Sequence, residues 1–304
     1  MPTILVAGAT GLVGSALVEA LRRRGDEVRR LVRGVARSGE DHPWEPEKGQ
    51  IPDGAFSGVE AVVNLCGAGI ADVRWSAERR RVLRTSRVEP TRLIADACIR
   101  QGVGTLVNAS ATGFYGDRGE DVLDEGSPSG GGFLADTCVA WEHALRTAEE
   151  AGVRVAKARL GVVLAPRGGA LEAMLPAFRL GLGGPLGSGS QWFSWIHLDD
   201  AVGGFLHLLD RPDARGPHLL VAPGEIRQKG FASALGRALR RPAILPAPAF
   251  ALRCLLGSMA KELLLSSQRC HPVALAREGF AWRHPTVETA LAEVVQRRSE
   301  ERKA

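Results

Sequence analysis

The chain has 304 residues, 45% of them hydrophobic, and a formal net charge of +5. That is enough length and apolar content for a full core in one large or two closely joined domains, and it is not the composition of a disordered chain. The positive excess is arginine scattered among acids, with no run of five like charges inside the fold. This describes a solvated surface, since a nucleic-acid face gathers its basic residues on one element. Only the tail from Arg297 to Lys303 is densely charged, with mixed signs.

The five cysteines, Cys66, Cys98, Cys138, Cys254 and Cys270, are odd in number and form no Cys-x-x-Cys pair. Neither a disulfide framework nor a structural zinc site is indicated, and no metal is expected. A strand pattern begins at Thr3, leaving no room for a targeting peptide, and no apolar run reaches the roughly 18–20 residues that cross a bilayer. The expectation is a cytoplasmic protein that engages neither membrane nor nucleic acid.

In chain order, a strand at 4–7, a helix at 12–24 and a strand at 27–32 give βαβ order. Residues 34–58 are rich in Gly, Pro and charge and read as a loop with one short element. Strands follow at 61–65, 105–108, 153–158 and 218–221, with long helices at 77–101 and 135–151 between them. Such alternation calls for a parallel sheet covered on both faces by helices. A glycine-rich stretch at 181–189 precedes a mainly helical ending, with helices at 231–240, 250–267 and 287–300. The expected architecture is a doubly wound α/β domain of Rossmann type over residues 1–224, with 166–192 contributing to a substrate cleft, and a small substrate-side lobe over 225–304.

Between the first strand and helix lies Val6-Ala7-Gly8-Ala9-Thr10-Gly11-Leu12-Val13-Gly14. Glycines at 8, 11 and 14 permit a tight turn, close backbone approach to a pyrophosphate and close helix packing, while the first N–H groups of the helix face the anion. Gly8, Thr10, Gly11, Leu12, Val13 and Gly14 are therefore candidate cofactor contacts. An acid at the end of the second strand would hold a ribose 2′-hydroxyl, and a cation a 2′-phosphate. This strand ends Leu31-Val32-Arg33-Gly34, so NADP is expected, with Arg33 on its phosphate.

Four motifs, GATGLVG at 8–14, NLCGAGI at 64–70, SATGFYG at 110–116 and WIHLDDAVGG at 195–204, together resemble the extended short-chain dehydrogenase/reductases, which include nucleotide-sugar epimerases. Arg74-Trp75, Ser86-Arg87-Val88, FLADTCVAWE at 133–142, GGPLGSGSQWFSWIHLDD at 183–200 and the stretch 246–291 resemble more narrowly an epimerase-like subfamily with a small characteristic C-terminal domain. The resemblance covers essentially the whole chain. It implies that Cys66, Gly67 and Ala68 lie beneath the cofactor, near its pyrophosphate or adenosine ribose. It also implies that Ser110 or Thr112 sits where related enzymes hydrogen-bond a substrate carbonyl.

Classical members use a tyrosine and a lysine four residues later, the cation lowering the pKa of the phenol. The sole tyrosine, Tyr115, is followed four residues on by Gly119, and the helix position expected for the pair carries Cys138 and Glu142. A carboxylate beside a thiol raises the thiol's pKa, the reverse of what lysine does. Three readings stand: Tyr115 is the acid of a rearranged site, Cys138 or Glu142 exchanges the proton, or NADP(H) is bound without fast turnover. His143, His197 and Asp199 read as packing, surface or helix-capping groups, and Trp192 and Trp195 as cleft walls or core. The expected function is an NADP(H)-dependent oxidoreductase or epimerase-like enzyme acting on a small polar, sugar-like substrate, as monomer or homodimer. The alternative is a regulatory or scaffold protein that binds the same cofactor.

Overall fold

The computed structural model describes residues 1–301; the end of the mixed-charge tail, residues 302–304, lies outside the described residues. The first strand, β1 (Thr3–Ala7), is an apolar run buried throughout, as a strand covered on both faces requires. Helix α1 (Leu12–Arg24) ends at Gly25, whose φ of 90° suits the left-handed cap, and β2 (Glu27–Val32) follows. The loop after β2, expected to hold one short element, holds three: a strand, β3 (Asp41–Pro43), and two 3₁₀ turns. Next come β4 (Ala61–Asn64), the long α2 (Ala77–Gln101) and β5 (Thr105–Ala111). Helix α2 is capped by Ser76, whose Oγ accepts from the Arg79 N–H, and stopped at Gly102 with φ 68°.

A two-residue strand, β6 (Val122–Leu123), leads to a region expected to be one helix over 135–151. It is two, α3 (Phe133–His143) and α4 (Arg146–Glu150). The break turns Leu145 and Ala148 inward to the core under α2. Strands β7 (Arg154–Leu160) and β8 (Val162–Leu164) are followed by α5 (Gly169–Arg179), β9 (Trp195–His197), α6 (Leu198–Asp210) and β10 (Gly216–Leu220). The ending comprises α7 (Gln228–Leu239), α8 (Ala249–Leu256), β11 (Arg269–Cys270), α9 (Val273–Arg277) and α10 (Val287–Glu301). The helix expected over 250–267 stops at Gly257, where φ is 62°, and a single π turn follows at Ala260–Leu264.

Seven strands form one parallel sheet in the order β10-β7-β5-β4-β1-β2-β3. The chain runs outward from β1 through β2 and β3, then restarts on the other side of β1 with β4. This reversal creates a crevice at the carboxyl ends of β1 and β4, where such sheets bind ligands. One face is closed by Leu17, Val18 and Leu21 of α1 with Phe205 and Leu208 of α6, and the other by Ile94, Ala97 and Cys98 of α2 with Leu145 and Val155. A third apolar cluster joins Leu171 and Phe178 of α5 and Trp195 of β9 to Phe231 and Leu235 of α7 and Leu291 and Val294 of α10. Among the described residues no helix is long and apolar enough to cross a membrane.

Candidate functional site

The turn from β1 into α1 is packed so closely that side chains would not fit. A Cβ on Gly8 would lie 2.6 Å from the Leu65 carbonyl oxygen, and one on Gly14 would lie 2.1 Å from that of Gly8. Gly8 also holds φ at 77°. The helix cap, Gly11, offers no side-chain acceptor, and the first turn of α1 contains no acid. The leading N–H groups of Leu12, Val13 and Gly14 therefore have neither a capping partner nor a competing carboxylate, which fits a pyrophosphate. Thr10 and Gly11 are exposed beside them. The bend at Gly168 and Gly169 covers the turn, its backbone lying over the Leu12 side chain.

Arg33 extends from the end of β2, 76% exposed and 3.7 Å from Glu47. Arg37 is exposed on the same loop, and its backbone N–H is held by the Asp41 carboxylate, 2.8 Å away. Sequence reading passed over Arg37, which lies on an irregular loop where spacing does not say which side chains meet. Burial pushes the Cys66 thiol up to about 12, with the charge of Arg33 opposing and that of Glu47 adding to the rise. Gly67 is exposed at the crevice, and the Ala68 N–H donates to Ser86 Oγ at 3.0 Å.

A buried polar lattice ties the strand ends to the helices. Asn64 Nδ2 donates to Thr91 Oγ1 at 2.8 Å and to Asn108 Oδ1 at 2.6 Å, and Trp141 Nε1 donates to the same threonine at 2.9 Å. Fixed in this way, β4, β5, α2 and α3 hold the crevice floor in one register.

Three of the four nominated catalytic residues meet, but through a residue the sequence reading missed. Arg159 of β7 donates to both carboxylate oxygens of Glu142, at 2.8 and 2.9 Å, and through Nη1 to the Tyr115 hydroxyl at 2.8 Å. Ser110 Oγ completes the cluster by donating to Glu142 at 2.7 Å. The Arg159 guanidinium also stacks 3.6 Å from the centre of the Phe114 ring. All four polar partners are buried. Lys157-Ala158-Arg159 gave no hint of this, because a strand residue declares its partner only once helix α3 is docked on it.

The cluster corrects the expected roles. The Tyr115 hydroxyl is fully enclosed, donates to the Asp124 carbonyl at 2.8 Å and accepts from Arg159. Burial raises its pKa, with Arg159 only partly opposing. It is a structural hydroxyl and no proton donor for a cleft ligand. Glu142 has both oxygens engaged by Arg159, and Ser110 directs its proton at Glu142 instead of toward a substrate carbonyl. Thr112 is buried as well, at 6% exposure. The Cys138 thiol is pushed up to about 12 by burial first and by Glu142 second, so at neutral pH it is a thiol and not a thiolate.

Three groups far apart in the sequence are brought together. His197, His284 and Glu293 place one donor atom each within 4.8 Å of one another. His197 Nδ1 accepts from the Asp199 N–H at 3.1 Å, making His197, not Asp199, the cap of α6. This fixes the proton on Nε2, which donates to Glu293 at 2.7 Å. The neutral tautomer thus leaves no Nε2 lone pair for a metal, and the trio reads as a helix cap. Asp199 pairs with Arg297, and Asp200 accepts from the backbone N–H groups of Arg283 and His284. Trp195 is core, and Trp192 lies between the guanidinium groups of Arg227 and Arg269.

Burial, with His284 alongside, depresses the His197 pKa from 6.5 to about 4. A histidine depressed on folding binds its proton more readily when unfolded. Its contribution to stability is therefore complete above 6.5 and drains away as pH falls from there toward 4. The melting temperature is expected to fall on acidification from about pH 7 to about pH 5, and more steeply than in His197→Asn, which keeps an acceptor for the cap. Equal slopes in thermal unfolding of the two proteins would contradict this.

A parallel sheet with a glycine turn at its reversal point and a carboxyl-edge crevice defines a Rossmann-type nucleotide-binding protein. Residues 4–222 match the NAD dependent epimerase/dehydratase family, and the chain belongs to that family. Residues 247–294 match a domain of unknown function, DUF1731. An epimerase family protein of Mycobacterium tuberculosis is 45% identical over 95% of this chain and 96% of its own length. The crystal structure of human epimerase family protein SDR39U1 (isoform 2) with NADPH superimposes with a TM-score of 0.89 at 32% identity, covering 97% of this chain and 99% of that one. A nucleoside-diphosphate sugar epimerase from Corynebacterium glutamicum gives 0.79 at 33% identity, covering 100% of this chain and 62% of that one.

Proposed function

We propose that the protein is an NADP(H)-dependent oxidoreductase or epimerase-like enzyme acting on a small polar, sugar-like substrate. The observation that carries this reading is the cradle itself: an acid-free helix start under a glycine turn, with β2 ending at Val32-Arg33-Gly34 instead of at an acid and Arg33 and Arg37 exposed beyond it. The relative crystallised with NADPH supports it. The N–H groups of Leu12, Val13 and Gly14 hold the pyrophosphate, and Arg33 and Arg37 take the 2′-phosphate. When bound, the nicotinamide supplies or accepts a hydride.

The chain's own contribution to proton movement is weak. Cys138 Sγ is the one nominated donor atom not spent on another side chain, and its proton is held near pKa 12. A tyrosine aided by lysine releases a proton far more readily, so slow hydride exchange is expected. The test is incubation with NADPH deuterated at the transferable position and a panel of sugar-derived ketones and aldehydes. The reading expects label in a reduced product, at a rate lowered at least about tenfold in Cys138→Ala. Cofactor binding with no label transferred to any carbonyl would overturn the enzymatic reading.

A further inference from the structure

The missing lysine of α3 leaves the crevice without the cation that the resembling enzymes carry there, yet a cation stands close by on a different helix. Arg87, in the middle of α2, donates through Nη2 to the Ala68 carbonyl at 3.0 Å and through Nη1 to the Leu83 carbonyl at 2.8 Å. Its Cζ lies 5.4 Å from the centre of the Trp141 ring, and the charge interacts with the Cys138 thiol. A Cβ on Gly67 would come within 3.0 Å of the same Cζ, so the guanidinium packs closely against this exposed part of the crevice.

Its charge has no anionic partner. Arg79, Arg81 and Arg92 on the same helix all pair with carboxylates, whereas among the described residues the Arg87 guanidinium meets two carbonyl oxygens and the Trp141 ring and makes no ion pair. Burial is the first cause pulling its pKa down, although a guanidinium stays charged regardless. Two of its five N–H groups are used, leaving three for a ligand. A half-buried cation without an anion is costly unless something supplies oxygen acceptors. Glu142, which occupies the lysine's sequence position, is neutralised by Arg159 and does not compete for it.

We propose that Arg87 is a cofactor-positioning residue that replaces the lysine from the opposite wall, holding the ribose and phosphate oxygens of the nicotinamide half of the dinucleotide beside Cys138. The inference rests on the NADP(H) reading above. It is tested by measuring the affinities of NADPH and of 2′,5′-ADP, which lacks the nicotinamide half, for wild type, Arg87→Met and Arg87→Lys. The expected result is NADPH affinity about tenfold weaker in Arg87→Met, partly restored in Arg87→Lys, with 2′,5′-ADP affinity unchanged within about twofold in all three. Retained 2′,5′-ADP binding also shows that the variants are folded. Equal weakening of both ligands, or no weakening of either, would overturn the role of Arg87 while leaving the cofactor reading intact. Failure of the wild type to bind either ligand would instead overturn the cofactor reading, and this inference with it.

Discussion

Arg159→Leu is expected to destabilise the protein by about 3–5 kcal/mol, read as a lower denaturant midpoint with an unchanged slope. The side chains of Arg159 and Glu142 are 5% and 9% exposed, so removing the guanidinium strands a carboxylate away from water. Only Ser110 would remain to satisfy it. The Tyr115 hydroxyl would lose its Arg159 donor, and the Phe114 ring its stacked cation. Replacing both charged partners, in Arg159→Leu/Glu142→Leu, is expected to recover a large part of the loss, because the penalty lies in the unpaired charge and not in the absence of the pair. A loss below about 1 kcal/mol in the single variant would mean that the pair behaves as a solvated surface bridge.

The second large effect is expected from Gly14→Ala. The glycine sits in ordinary helical backbone, so the cause is space and not dihedral strain. The new methyl would lie 2.1 Å from the Gly8 carbonyl oxygen and 3.0 Å from the Ala9 Cα, both backbone atoms that cannot rotate aside. Helix α1 has to move away from the turn, at a cost of about 1–3 kcal/mol. The N–H groups assigned to the pyrophosphate move with it, and NADPH affinity is expected to fall at least about tenfold. Gly11→Ala is the milder control, since its Cβ would come only within 3.3 Å of the same oxygen. Titration and thermal unfolding of the two variants should rank them in that order. Wild-type affinity in Gly14→Ala would show that the turn does not hold the cofactor.

The first βαβ unit and helix α2 were legible from the sequence because their apolar runs and helical spacing are local signals; the structure adds the serine cap at Ser76 and the left-handed glycines at 25 and 102 that bound the helices. Helix α6 was anticipated only at its start, where Asp199 read as a cap; its extent was not, because Gly203-Gly204 argues against a helix until Leu220 is packed on Gly204, where a Cβ would meet it at 3.0 Å. Helix α5 was hidden by its opening glycines and by Pro176. The cofactor turn could be read because its requirements lie within seven consecutive residues. The buried Arg159–Glu142 pair and the His197, His284 and Glu293 trio could not, since their partners come from separate elements, in the trio nearly the length of a domain apart. Tyr115 was nominated because it is the only tyrosine; its hydroxyl is claimed by neighbours that residue type alone does not reveal.

The most direct test of the central claim is fluorescence titration of NADPH and NADH against wild type and Arg33→Ala. The account predicts micromolar NADPH binding, at least about tenfold weaker NADH binding, and a variant in which that preference largely disappears through loss of NADPH affinity. Absence of binding by either cofactor, or a preference for NADH that Arg33→Ala leaves unchanged, would contradict it.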